Sequence, residues 1–284
     1  MQCILDDLAY LLGLTCGRGK LDYSKKHLTI HFLYKSIKAT GVTKTFDQED
    51  KLIIGLDPIV NKLIEFTGIP VKKLAFKNQI DILVPFGGNT HTWQNITHFF
   101  NYASDYTKFR IPSLFFQAPG SAKLNFLKGF ADVAGFIRKS NYDQSGRHRV
   151  YLEIMNSNWV LPIQICSLLQ DPTLNIPVQN ILWGHPNTRG KGNWAKEHQV
   201  RIYAEYFEPV GFNILYKQEI LEELAAINTA RGNKVPKPCD PVNKSVTKRK
   251  TIHPDEHSPK ICSSIRGKHF DTYWQICCAL GCKQ

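Results

Sequence analysis

A nine-residue pattern occurs twice in this chain, 116 residues apart. The first copy reads Leu11-Leu12-Gly13-Leu14-Thr15-Cys16-Gly17-Arg18-Gly19. The second reads Leu127-Lys128-Gly129-Phe130-Ala131-Asp132-Val133-Ala134-Gly135. Each copy closes an apolar run at a glycine, and basic, strand-like sequence follows. In the first copy the run spaces Leu5, Leu8, Ala9, Leu12 and Cys16 as one face of a helix. An internal repeat of this kind implies two related halves. Small residues at the third and seventh motif positions (Gly13, Gly17 and Gly129) suit two helices packed side by side, while Val133 is bulkier at the seventh position of the second copy.

The order of elements repeats with the motif. In the first half, His27–Leu33 reads as a strand and Asp57–Phe66 as a helix with a proline in its first turn. Lys73–Phe76 and Ile80–Val84 read as strands, and Trp93–Tyr102 as a helix. In the second half, Leu124–Val133 is helical, Arg149–Met155 a strand and Leu161–Leu169 a helix. Val178–Trp183 and Gln199–Phe207 are strands, and Ile214–Asn228 is an amphipathic helix. Each half is thus helix, strands, helix, strands, helix. The expected organisation is a first domain over 1–111, a Pro/Gly-rich linker over 112–120 and a second domain over 121–228. A basic extension follows over 229–284, with 11 Lys/Arg against 4 Asp/Glu.

The two motifs, their spacing and this element order resemble the LAGLIDADG homing endonucleases in their single-chain, two-motif form, over about residues 4–228. The resemblance implies an α+β fold of two pseudo-symmetric αββαββα domains acting as a monomer. Its paired sheets would form a saddle along the major groove of double-stranded DNA, where strand side chains read base edges. Gly13, Gly17, Gly19, Gly129 and Gly135 match the helix–helix part of the motif. In active members the residue before the closing glycine is acidic in both copies, and the pair holds Mg²⁺ at the scissile phosphates. Here those positions are Arg18 and Ala134, neither of which supplies the oxygen ligands that Mg²⁺ requires. Asp22, Asp132 and Asp143 are the nearby acids that could substitute. The resemblance therefore implies binding to an extended DNA site with family-type cleavage in doubt. Two alternatives stay open: an endonuclease for homing or restriction that uses relocated acids, and an RNA-binding splicing maturase.

Charge supports a polyanionic partner. The chain has 284 residues and a formal net charge of +12, the balance of a nucleic-acid binder. The basic residues suited to contact DNA are Arg18, Lys20, Lys25, Lys26, Lys72, Lys73, Arg138, Lys139, Arg147, Arg149, Arg189 and Lys191. No apolar run is long enough to span a bilayer, and the N-terminal sequence lacks secretory character, so an intracellular protein, cytoplasmic or nucleoid, is expected. Cys16 and Cys166 read as small core residues. Cys239, Cys262, Cys278 and Cys282 in the extension suit either a structural Zn²⁺ site or free buried thiols, their spacing being too irregular to choose.

Overall fold

The computed structural model describes residues 2–87, 90–139, 147–184, 197–230 and 269–270. The first half runs α1 (Gln2–Arg18), β1 (Gly19–Asp22), β2 (His27–Leu33), α2 (Tyr34–Ile37), β3 (Ala39–Thr40), β4 (Thr45–Phe46) and α3 (Glu49–Ile54). It continues with α4 (Asp57–Thr67), β5 (Lys72–Ala75), β6 (Gln79–Pro85) and α5 (Thr90–Phe99). A 3₁₀ turn over Ser113–Gln117 leads into the second half: α6 (Gly120–Ala134), β7 (Gly135–Arg138), β8 (Arg149–Ile154), α7 (Leu161–Leu169), β9 (Asn180–Leu182), β10 (His198–Tyr203), α8 (Ala204–Phe207) and α9 (Leu215–Ala230). β11 (His269–Phe270) lies in the extension. The fold is α+β, and αββαββα underlies each half.

The motif helices α1 and α6 pack against each other along their length. The packing depends on glycine at the crossing. A Cβ on Gly13 would overlap the carbonyl oxygen of Phe126 and sit 2.9 Å from the amide nitrogen of Phe130. A Cβ on Gly129 would overlap the carbonyl oxygen of Tyr10. One turn further on the contact is asymmetric, because a methyl of Val133 fills the space that a Gly17 side chain would take. Val133 is therefore no obstacle to close approach: the bulk on α6 is matched by its lack on α1. Buried Leu11, Leu14, Phe126 and Phe130 flank this seam and supply the apolar burial that holds it.

The strands form two sheets. The first has order β1-β2-β6-β5, all antiparallel. Its inner face (Leu28, Ile30, Phe32, Ile80, Ile82, Val84) is fully buried, while His27, Thr29, His31, Gln79, Asp81 and Leu83 alternate onto the outer face. The second sheet has order β11-β9-β10-β8-β7-β3-β4. Its centre, β9-β10-β8-β7, repeats the arrangement of the first sheet. It is extended at one edge by β3 and β4 from the first half, β3 pairing parallel with β7 through Ala39–Ile137 and Thr40–Arg138. This junction was not expected, since two-residue strands carry no periodicity and gain their pairing from the other half.

Other elements differ in detail from expectation. Gln199–Phe207 is not one strand: the chain leaves the sheet at Tyr203 and turns into α8, where Glu205 forms ion pairs with Arg147. α6 begins at Gly120, inside the segment read as linker, with Pro119 just before it. No helix among the described residues is long and apolar enough to cross a membrane.

Candidate nucleic-acid interface

Each motif helix runs directly into the first strand of its half, α1 into β1 and α6 into β7, so the residue before each closing glycine sits at a helix–strand junction. On α1 this residue, Arg18, is only 1% exposed. Its guanidinium is 2.9 Å from Oε1 of Glu197 and 3.8 Å from Oε2 of Glu153, with the Tyr106 ring 5.3 Å away. Lys35, half-exposed above the group, lies 2.8 Å from Glu197 and 3.4 Å from Glu153. Burial works against the Arg18 charge, but the neighbouring carboxylates outweigh it and hold the guanidinium protonated. Arg18 is therefore taken up internally and is not an exposed phosphate contact.

The two carboxyl groups are shifted in opposite directions. Burial, reinforced by Glu197, raises Glu153 to about 7. Burial also pushes Glu197 up, but Arg18 foremost, with Glu153 and Lys35, outweighs it and lowers Glu197 to about 2. Glu153 and Glu197 were not among the residues singled out from sequence. Glu153 had a signal, since it continues the outward face of Arg149 and Tyr151 at a period of two. Glu197 had none. These are relocated acids, but two cations already neutralise them. Ala134, the equivalent position on α6, is fully buried and has no ligand atom. Among the described residues no group of three His, Cys, Asp or Glu side chains is arranged to hold a metal ion. The site does not fit Mg²⁺.

The substitute acids stand elsewhere. Asp22 folds back onto the β1–β2 turn, accepting from the Ser24 hydroxyl at 2.6 Å and from the amides of Ser24 and Lys25. Asp132 is fully buried. It accepts from the Tyr10 hydroxyl at 2.8 Å and from the amides of Asn213 and Ile214, which precede α9. In return Lys217, on the buried face of α9, donates to the carbonyls of Ala131, Asp132 and Gly135 at 3.0, 3.2 and 2.6 Å. The two residues thus clasp α9 to the end of α6, a lysine satisfying terminal carbonyls and a carboxylate satisfying terminal amides. Burial raises Asp132 to about 6 and lowers Lys217 to about 7. Asp143 lies outside the described residues.

The basic residues divide three ways. Lys20, Lys25, Lys26, Lys72, Arg138 and Lys139 are exposed, with Lys20 and Lys72 on the outer face of the first sheet, joined across it through Thr29 and Leu83. Lys73 lies on the opposite face, where it bonds Asp57 and the Ile53 carbonyl, because the strand period sends it inward. Arg147 and Arg149 are buried: Arg147 pairs with Glu205 and lies 3.6 Å over the Tyr203 ring, and Arg149 bonds Gln179. Arg189, Lys191, Cys239, Cys262, Cys278 and Cys282 lie outside the described residues.

The outer face of the second sheet carries interleaved arginines and aromatics. Phe136 and Tyr151 stack at 4.7 Å across β7 and β8. Arg138 lies 5.3 Å over Phe136, and Arg201 lies 5.5 Å over Tyr151. The outer face of the first sheet has no arginine.

No family model matches the sequence, and no curated protein matches it. Among solved structures the chain is similar to full-length DUF199/WhiA from Thermatoga maritima, at 16% identity and TM-score 0.44, over 86% of this chain and 65% of that one. It thus spans less than two thirds of that protein. It is also similar to the N-terminal LAGLIDADG domain of DUF199/WhiA (14% identity, TM-score 0.40, 82% of this chain and 84% of that one). A third similar structure is I-DmoI in complex with DNA and Mn (15% identity, TM-score 0.39, 77% of this chain and 97% of that one).

Proposed function

We propose that this chain binds double-stranded DNA across the outer faces of its two sheets, without hydrolysing it at the motif site. The observation that carries the second part is the burial of Arg18 between Glu153 and Glu197. Where metal-dependent cleavage needs unpaired carboxylates, the acids here are spent on neutralising an arginine and a lysine. The first part is supported by the net charge of +12 and by exposed Lys20, Lys25, Lys26, Lys72, Arg138 and Lys139, which suit phosphate and base contacts.

Fluorescence anisotropy with labelled duplexes at rising salt tests the binding. Affinity should fall linearly on a log–log plot, with a slope close to the number of phosphates neutralised. Supercoiled plasmid carrying a selected site should stay intact with Mg²⁺ or Mn²⁺. Specific double-strand cutting that disappears in Glu153→Gln or Glu197→Gln would overturn the non-hydrolytic reading. Structured RNA that outcompetes duplex DNA would move the function to RNA.

A further inference from the structure

We infer that Arg138 reads a guanine edge in the half of the duplex lying against the second sheet; this rests on the DNA-binding reading above. Arg138 ends β7 on the outer face, is exposed, and stands directly opposite Arg149 of β8. Like charges opposite each other on a sheet destabilise it, so this placement favours an anionic or acceptor-rich partner on that face. No carboxylate among the described residues pairs with Arg138.

Its surroundings separate base reading from phosphate anchoring. The guanidinium lies 5.3 Å from the centroid of Phe136 and 5.7 Å from that of Tyr151, and those rings are within 5° of parallel. Contact with the two rings restrains a guanidinium that is itself exposed. A fixed fork of donors is what guanine O6 and N7 accept as a bidentate pair. Lys139, next in the chain and exposed, is a point charge better suited to phosphate. Since the outer face of the first sheet lacks arginine, a guanine read by an arginine fork is expected in one half of the site.

The test is selection from a random duplex library with wild type, Arg138→Lys and Arg138→Ala, followed by affinity measurement on the selected site. The expected result is guanine at one fixed position for wild type. Both variants should lose that preference by at least about fivefold, with the other positions unchanged, even though Arg138→Lys keeps the charge. If guanine persists in both variants while Arg138→Ala weakens all sequences alike and lowers the salt slope by about one, Arg138 is a phosphate anchor and the inference fails. Wild type that selects duplexes with no Arg138-dependent guanine also sinks it, leaving DNA binding standing. Wild type that retains no duplex at low salt sinks the DNA-binding reading itself.

Discussion

The Gly17–Val133 contact offers a quantitative test of the helix seam. Adding a Cβ at Gly17 places it against a Val133 methyl and 3.4 Å from the Ala134 Cβ. The overlap is with a side chain, so a second substitution can remove it; the Phe130 carbonyl oxygen, 3.3 Å from the added carbon, has only to give slightly. Gly17→Ala should gain about 1 kcal/mol in helix propensity and lose about 1–3 kcal/mol to overpacking, for a net destabilisation of about 0–2 kcal/mol. Val133→Ala alone should cost about 1–3 kcal/mol in lost burial and cavity. The double variant refills the space with the new methyl. It should be more stable than the sum of the singles by about 1–3 kcal/mol, the coupling expected of residues in contact. Gly13→Ala behaves differently, because its Cβ meets the backbone of Phe126, including the carbonyl carbon at 2.8 Å. No side-chain truncation relieves that, and a cost of about 3 kcal/mol or more is expected. Gly87→Ala, with nothing within 4 Å of the added carbon, is the neutral control. The assay is urea unfolding followed by far-UV circular dichroism, with midpoints compared at constant m. Additive Gly17 and Val133 effects, or a wild-type midpoint for Gly13→Ala, would refute the packing argument.

The remaining predictions concern charge. Glu153 has a folded pKa of about 7 against an ordinary 4.5, raised chiefly by burial. Its contribution is full below pH 4.5 and is lost as pH rises through 7, so stability should fall by about 3 kcal/mol across that window. Glu153→Gln, which mimics the protonated form, should flatten the slope in urea titrations at pH 5 to 8; a slope that survives the substitution would assign it elsewhere. Lys217→Met strips the carbonyl clasp and leaves Asp132 buried without its cation, at an expected cost of about 3–5 kcal/mol; Asp132→Asn in the same chain should recover part of it, as read by thermal unfolding. Arg18→Met uncovers the Glu153–Glu197 pair and should destabilise by a similar amount, unlike Lys35→Met, whose half-exposed ammonium contributes at most about 1 kcal/mol.

The sequence made the helix pair and most strands legible because both rest on periodicity. Leu8, Leu12 and Cys16 repeat at helical spacing, and Leu28, Ile30 and Phe32 alternate. It concealed what depends on residues far apart meeting. Arg18 is bonded by Glu197, 179 positions away, so a cation read locally as a phosphate contact is an internal ion pair. Lys217 did leave a trace: it shares the helical stripe of Ile220, Leu221 and Leu224, where a lysine needs buried acceptors. Asp132, an acid that could substitute at the motif site, instead accepts from the amides that precede α9. The short strands β3 and β4 are set by the neighbouring β7 edge, which no local pattern records.

That edge has a consequence for how anything can approach the second sheet. An open strand edge displays main-chain donors and acceptors and invites a foreign strand to add on. Here the outermost strands on both sides, β4 and β11, are each two residues long, and they come from other parts of the same chain. Sideways extension of the sheet by an incoming peptide has almost no ladder to build on. What remains is its broad face, where the arginines and aromatic rings lie.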